Sequence, residues 1–245
     1  QIKTHIEKRF GTDFHPPASR MRDYIQALKS IFKCWQEGSR LDYQGEFYRH
    51  TLMTPMFNPG ENEFGVPPIT MGALGPKMTE VAGEVADGLI VHPFNNESFV
   101  RENTLPALDL GIEKSDRDRS DISLNVHAIV ITGESEEEMN DARDSVKKLL
   151  GFYGSTPAYL APMDSIGYGA LQPELNQLSK KGKWNELGEA IDEGFLEAFC
   201  IEGEPGDLAL NLINRHGGYA DRIGLYAPYN VSDNIWRQLL SDLKG

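Results

Sequence analysis

The stretch Pro67-Pro68-Ile69-Thr70-Met71-Gly72-Ala73-Leu74-Gly75-Pro76 leads directly into Lys77-Met78-Thr79-Glu80-Val81-Ala82-Gly83-Glu84-Val85-Ala86-Asp87-Gly88-Leu89-Ile90-Val91-His92. It contains an apolar run of strand length, a Gly-Pro turn, a segment with helical spacing and a second apolar run. This order predicts a βαβ unit, in which a helix connects two parallel strands. The other elements of the chain can be placed around this unit.

The start of the helix is the chemically distinctive point of this unit. Gly75 allows a sharp turn, and Pro76 suits the first helical position because its φ is already helical and it has no N–H group. We expect the amides from Lys77 to Thr79 to point out of the helix end, where the helix dipole attracts an anion such as phosphate. The motif is short, and its spacing alone more often marks an ordinary strand-to-helix turn.

The composition excludes several classes of protein. The 245 residues include 37 Asp and Glu against 24 Lys and Arg, a formal net charge of -13, which argues against a nucleic-acid binder. No apolar run approaches the roughly 20 residues that a membrane-spanning helix needs, and we expect no signal peptide, because the first residues lack its pattern. Cys34 and Cys200 lie far apart without metal-binding spacing, so we predict no metal site. A globular, cytoplasmic protein is expected.

Strands and helices alternate along the rest of the chain, which indicates parallel α/β architecture. The first segment, Gln1 to Phe14, has no helical or strand period and is predicted as a loop, and residues 153–197 are predicted as an insertion of short helices. The other predicted elements are a helix over 16–37, a hairpin and long loop over 41–67, a helix from about Ser98 to Gly111 capped by Ser98, a strand over 122–132, a helix over 135–150, a short strand over 198–201, a helix from Pro205 to His216, a strand over 222–227 and a final helix capped by Ser232.

Three motifs in this order resemble the luciferase-like monooxygenase superfamily, specifically its branch of oxidoreductases that use the deazaflavin coenzyme F420. The resemblance extends over nearly the whole chain. The motifs are Tyr43-Gln44-Gly45-Glu46-Phe47-Tyr48, Gly75-Pro76 together with Ala86-Asp87-Gly88, and Phe152-Tyr153-Gly154-Ser155-Thr156-Pro157-Ala158-Tyr159.

The resemblance implies a TIM (β/α)8 barrel in which Gln1 lies just after the fourth strand. The 245 residues would then be a single partial α/β-barrel domain, the C-terminal portion with about strands 5 to 8 and the insertion. The first strands of such barrels carry part of the coenzyme pocket, so we expect the fragment alone to be inactive. The resemblance also implies a homodimer when the protein is full length.

The resemblance further implies an F420-dependent oxidoreductase that transfers a hydride between the deazaflavin and a small organic substrate. One alternative of the same fold is an FMN-dependent monooxygenase, which uses reduced flavin and oxygen. Another alternative is a non-catalytic half-barrel or a truncated product. F420 carries a longer anionic tail than FMN, and the basic residues near the start of the chain mildly favour F420.

Candidate site residues follow from the rule that TIM-barrel active sites lie at the C-terminal ends of the strands. By resemblance, Gly75 and Pro76 match positions that hold the phosphate-bearing part of the coenzyme. Ala73, Leu74 and Lys77 lie beside them in the sequence and are included. His92 ends its predicted strand and could orient a substrate or exchange a proton, although a hydrogen-bonded core histidine fits the sequence equally well.

Two further groups of residues are candidates. Gln1, Lys3, His5 and Arg9 gather donors in one segment that could hold an anionic tail or substrate, with His5 a second candidate for catalysis; alternatively they form a disordered end. Tyr153 of the insertion could line the pocket, whereas helix capping is the expected role of the neighbouring Ser155 and Thr156. Asp87 is expected to be structural.

Overall fold

A computed structural model describes residues 3–243, which form an α/β fold with a parallel sheet. The chain divides into two compact units. The first extends to Ile90 and includes Thr104–Ser123, and the second consists of Val91–Asn103 and the residues from Leu124 onward. That the chain is one partial-barrel domain, and that it is the C-terminal portion of a barrel, both stay predictions.

The first unit contains the βαβ unit that the sequence predicts. Strand β3 (Thr70–Ala73) and strand β4 (Gly88–Val91) are neighbours in the sheet, and helix α2 (Pro76–Val85) connects them. Asp87, just before β4, accepts a hydrogen bond from the amide of Ile69 at 2.8 Å and from Lys29 Nζ at 2.9 Å. Both oxygens of its carboxylate are therefore used in holding the fold together.

Helices α1 (Pro17–Glu37) and α4 (Leu105–Lys114) pack against α2. The contact between α2 and α4 is close because two glycines meet there. A Cβ atom on Gly83 would collide with the carbonyl oxygen of Leu108, and one on Gly111 would collide with the carbonyl oxygen of Glu80. The two backbones can approach this closely only where both side chains are absent.

The second unit is built on β5 (Ser123–Ile131), which pairs in parallel with β6 (Cys200–Glu202) and β7 (Arg222–Tyr226). Its core contains a row of stacked rings. Phe94 is fully buried and stacks on Phe199 with ring centroids 4.4 Å apart, and Phe199 stacks on Phe195 at 4.6 Å. Such ring pairs contribute beyond the apolar area that they bury.

The remaining elements agree with alternating α/β architecture and with a helical segment over most of 153–197. They are the hairpin strands β1 (Tyr43–Gln44) and β2 (Arg49–His50), helices α3 (Glu97–Phe99), α5 (Glu136–Gly154), α6 (Leu160–Asp164), α7 (Gln172–Lys180), α8 (Trp184–Glu189), α9 (Glu193–Phe199), α10 (Leu208–His216) and α11 (Asp233–Asp242), 3₁₀ turns at Pro55–Phe57, Arg119–Asp121, Pro157–Tyr159 and Gly169–Leu171, and π-helical segments at His5–Arg9 and Val100–Thr104.

The predicted helix from Ser98 to Gly111 is wrong in its start and its continuity. Asn96, not Ser98, is the N-cap, and its side chain accepts from the amide of Phe99. The segment then passes through the short α3 and a π-helical stretch before α4 begins. Pro106, in the first turn of α4, has no amide hydrogen to donate four residues back, which interrupts the regular α-helical ladder.

Two further predictions of secondary structure are wrong. Ala198 and Phe199 end helix α9, and β6 begins only at Cys200, because a short apolar run fits a buried helix end as well as a strand. The segment predicted as a loop over Gln1 to Phe14 contains the π-helical residues His5–Arg9. No helix within residues 3–243 is both long and apolar enough to cross a membrane.

Candidate functional site

The helix end at Gly75 lies beside an open groove of about 740 Å³ in the first unit. Gly75 is the N-cap of α2, with φ -75° and ψ 149°, an extended conformation that any residue can adopt. The conformational freedom of glycine is therefore not needed for the turn at this position. A Cβ atom added to Gly75 would meet no atom within 4 Å, so the missing side chain leaves open space at the helix end.

The donors at this helix end are fewer than the sequence suggests. Pro76 has no amide hydrogen, and the amides of Met78 and Thr79 both donate to the carbonyl oxygen of Gly75, at 3.1 and 3.0 Å. In residues 3–243 the amide of Lys77 is the one in this first turn that has no hydrogen-bond partner. Among those residues the Lys77 ammonium also makes no ion pair, so one backbone donor and one cation are available to an anion.

Other charges around the groove are already paired. Arg22 forms a bidentate pair with Glu84, of which the Nη2–Oε1 contact is 2.9 Å, and Glu80 pairs with Lys114. These pairs hold α1, α2 and α4 together and leave little net charge. Ala73 ends β3, where its side chain is buried, and Leu74 connects β3 to the helix end, so neither offers a polar side-chain contact.

His92 follows directly after β4 and is half-buried in the second unit. Its Nδ1 accepts a hydrogen bond from the amide of Phe94 at 3.0 Å, so this nitrogen carries no proton. The proton of the neutral ring therefore lies on Nε2, which is 3.3 Å from the hydroxyl oxygen of Tyr159. Burial, and secondarily the charge of His127, lower the pKa of His92, which favours this neutral form.

Two tyrosines of the predicted insertion region enclose the His92 ring. The ring of Tyr153 meets it edge-on with centroids 5.2 Å apart, and the ring of Tyr159 lies 4.8 Å away. Burial raises the pKa of both tyrosines, and a hydrogen bond with Tyr226 raises that of Tyr153 further. All these groups are therefore uncharged at neutral pH, and the cluster offers hydroxyl and imidazole donors without a net charge.

The hydrogen bonds of His92 bear on what it could do. Proton uptake at Nδ1 would break the bond from the Phe94 amide, and Nε2 already holds its proton. The arrangement thus favours a donor that orients a polar group over a residue that exchanges protons. The sequence alone left these two roles open.

The structure adds a residue that sequence reasoning missed. Asn96 is 3% exposed, and its Nδ2 donates to the carbonyl oxygen of Pro162 at 2.7 Å and to Ser165 Oγ at 3.2 Å. These bonds attach the loop after β4 to helix α6, just beyond Tyr159. The Asn-Asn pair after Pro93 was a signal for a capping turn, but its long-range partners could not be read from the sequence.

Two of the candidates near the start of the chain, His5 and Arg9, lie in the π-helical segment His5–Arg9, and Lys3 lies just before it. Lys3 pairs with Glu7 at 3.6 Å, both largely exposed, and the Arg9 guanidinium lies 5.3 Å from the ring of Phe10. His5 lies on the same segment, and Gln1 lies outside the described residues. Their role in holding an anion, and the catalytic role of His5, stay predictions.

Ser155 and Thr156, for which helix capping was expected, lie at the ends of helical segments. Ser155 Oγ donates to the carbonyl oxygen of Phe152 at 2.7 Å, at the C-terminal end of α5, and Thr156 is the N-cap of the turn Pro157–Tyr159 without a side-chain bond. Both cysteines are buried thiols that form no disulfide. Within the part of the chain that the structure describes, no three His, Cys, Asp or Glu side chains are grouped so that they could hold a metal ion.

Comparison with known proteins identifies related sequences. A sequence profile of the luciferase-like monooxygenase family matches residues 1–222. An uncharacterized protein of Mycobacterium tuberculosis is 43% identical over 223 residues, which cover 91% of this chain and 66% of the relative. The 5,10-methylenetetrahydromethanopterin reductase of Archaeoglobus fulgidus is 25% identical over 207 residues, or 82% of this chain and 58% of that enzyme. The chain thus spans less than two thirds of the length of these relatives.

The fold is also found among solved structures. The coenzyme F420-dependent tetrahydromethanopterin reductase from Methanopyrus kandleri superimposes with a TM-score of 0.71 and 20% identity, over 98% of this chain and 66% of that chain. A likeness at this identity shows a shared fold, and function has to be argued from the site.

Proposed function

Because the chain belongs to the luciferase-like monooxygenase family, whose profile matches residues 1–222, we propose that the complete protein is an F420-dependent oxidoreductase. The observation that carries this proposal is the similarity to a methylenetetrahydromethanopterin reductase over 82% of the chain. The reductase with the same fold from Methanopyrus kandleri is described as F420-dependent. The substrate proposed here is a small organic molecule, and the protein is proposed to be cytoplasmic and homodimeric.

Bound F420 would supply the hydride carrier, and the protein would supply binding and orientation. We assign contact with the anionic tail to the helix end formed by Gly75, Pro76 and Lys77, with Ala73 and Leu74 leading into it. Two observations fit this group: the open space beside Gly75 and the free amide and ammonium of Lys77. His92 and Tyr153 would present uncharged donors and an aromatic surface to substrate, while His5 with Lys3 and Arg9 would add positive charge.

The tail site can be tested with one added methyl group. Gly75→Ala should weaken F420 binding by the complete protein about tenfold or more, because the methyl group fills the space that the tail needs, a loss of about 1.4 kcal/mol. Its thermal stability should not fall, since the backbone there is extended and the space is open. Fluorescence titration and thermal unfolding measure the two effects.

Gly206→Ala is the matched control, because Gly206 also lies in open surroundings, where the nearest atom to an added Cβ is Gln238 Nε2 at 3.9 Å. This control should bind F420 like the natural protein. Unchanged F420 affinity in Gly75→Ala would refute the assignment of the tail to this helix end without refuting the use of F420. Lys77→Gln removes the ammonium charge and leaves the space beside Gly75 open, so it measures how much the charge contributes to F420 binding.

An FMN-dependent monooxygenase is the second candidate, because the family that the profile describes is named for that reaction. FMN ends in a phosphate without the longer tail, and the same helix end could accept it. FMN binding without F420 affinity would support this candidate. Binding of neither coenzyme would support a non-catalytic protein.

A further inference from the structure

The Tyr43–Tyr48 motif, which the proposed function does not use, contributes its last residue, Tyr48, to the lining of a second groove in the first unit. Asp23, 6% exposed, accepts hydrogen bonds from the hydroxyl of Tyr43 and from the amides of Phe47 and Tyr48, the last at 2.9 Å. A Cβ atom on Gly45 would overlap the Asp23 carboxylate. The carboxylate therefore fixes the hairpin against α1, and with it the position of Tyr48.

Tyr48 in turn fixes a guanidinium. Arg20 Nε donates to the hydroxyl of Tyr48 at 3.1 Å, and the Arg20 carbon Cζ lies 5.9 Å from the centre of the Tyr48 ring. In residues 3–243 neither terminal nitrogen of Arg20 has a protein acceptor, and Arg20 makes no ion pair. A half-buried guanidinium that is held in place by one nitrogen retains two parallel donors for a ligand.

The groove beside this guanidinium has a volume of about 330 Å³, within the range of roughly 300–1,000 Å³ that is usual for small-molecule sites. Its walls are mainly aromatic and thioether side chains, which pack well on a flat ring. The Tyr24 and Tyr48 rings are 5.5 Å apart and tilted by 59°, so that wall has two adjacent aromatic rings at an angle to each other. The wall residues are Phe14, Met21, Tyr24, Tyr48 and Met78.

The charge of the groove selects among anions. Besides Arg20 and the hydroxyl groups of Tyr24 and Tyr48, the polar side chains that line it are the exposed Asp13 and the exposed His15. A single guanidinium with two free donors matches the two oxygens of a carboxylate. A phosphate with two negative charges would be incompletely neutralised by Arg20, and Asp13 would repel it more strongly than it repels a carboxylate with one charge.

We propose that this groove is a binding site for a planar aromatic carboxylate, whose carboxylate pairs with the terminal nitrogens of Arg20 and whose ring packs on Tyr24, Tyr48 and Met21. The site is separate from the proposed coenzyme contact at Gly75, although Pro17 and Met78 border both grooves. Its occupation does not depend on F420.

Benzoate is the probe, and its binding to the complete protein is measured by calorimetry and by NMR shifts of the ring signals of Tyr24 and Tyr48. Arg20→Gln should weaken benzoate binding about tenfold or more, and Arg20→Lys should weaken it less, because it keeps the charge and loses the paired donors. Asp13→Asn should strengthen it. Arg40→Gln is the matched control. It removes the same charge at an exposed position just after the C-terminal end of α1 and should leave binding unchanged.

Benzamide, which is flat but uncharged, should bind at least tenfold more weakly than benzoate. The proposal is overturned if benzoate does not bind, if benzamide binds as tightly, or if Arg20→Gln binds benzoate like the natural protein. If Arg20→Gln does not fold, as judged by circular dichroism, the Arg20→Lys and Asp13→Asn variants decide in its place. F420 affinity, measured on the same samples, reports separately on the proposed function.

Discussion

His92 illustrates how a single hydrogen bond decides a residue's chemistry. Its position at a strand end, before Pro93, identified it as a candidate in the sequence. The sequence could not show which ring nitrogen carries the proton. The Phe94 amide occupies Nδ1, and Tyr159 lies next to Nε2. A proton added at Nδ1 would break the hydrogen bond from the Phe94 amide and place a charge among buried and half-buried aromatic rings, which is why the neutral form is favoured.

We predict that the His92 ring titrates below about 6.5, the ordinary pKa of histidine. The unfolded chain then takes up the proton more readily than the folded one. The stabilisation from neutral His92 is complete above that ordinary pKa and is lost as the pH falls toward the lowered value. NMR titration of the ring, assigned by its absence in His92→Gln, measures the pKa. Titration above 6.5 would contradict the geometry described for Nδ1 and Nε2.

The role of a residue could be predicted where it follows from the residue type and its position next to a strand, but not where it depends on contacts that are distant in the sequence. Asp87 was predicted to be structural, and both its oxygens hold the βαβ unit. Asn96 was not singled out, because its contacts with Pro162 and Ser165 join segments more than 60 residues apart. No local pattern encodes such a contact.

At the scale of elements, the crossing of α2 and α4 in the first unit is close for a specific reason. Gly83 and Gly111 face the opposite backbone, and neither could carry a Cβ atom without a collision with a carbonyl oxygen. Backbone atoms cannot move aside as the end of a flexible side chain can, so the helices would have to separate.

Gly111→Ala should therefore destabilise the protein by about 1–3 kcal/mol, the usual cost of overpacking a core. Gly206→Ala, in open surroundings, is the control and should change stability little. Chemical denaturation of both variants makes the comparison. A Gly111→Ala protein as stable as the control would show that the two helices do not pack as closely as described.

The secondary structure of long, strongly periodic segments was predicted correctly, and most errors lie at element ends; the exceptions are the interrupted helix after β4 and the π-helical residues His5–Arg9 in a segment predicted as a loop. The βαβ unit and strand β5 were located within two residues, because their apolar periods are regular. The prediction of one continuous helix after β4 was wrong. Pro106 cannot donate a backbone hydrogen bond, and a π-helical stretch precedes α4. The prediction that a helix begins after Gly75 was correct. The number of free amides was overestimated, because the amides of Met78 and Thr79 donate to the carbonyl oxygen of Gly75.

At the scale of the whole molecule, the order of elements carried more information about function than any single site residue. The motifs around Tyr43, Gly75 and Tyr153 indicated the luciferase-like family, and the family profile confirms it. The choice of coenzyme could not be read in the same way. Coenzyme preference depends on a few contacts to the ring and tail, and this chain spans 66% of its mycobacterial relative's length.

We propose that the complete protein binds F420 in preference to FMN. The most direct test is a fluorescence titration of the purified protein with each coenzyme, in the oxidised and the reduced state. We predict a Kd for F420 in the micromolar range or below, about -8 kcal/mol or stronger, and at least tenfold weaker binding of FMN. Tight binding of FMN together with no measurable affinity for F420 would contradict the claim.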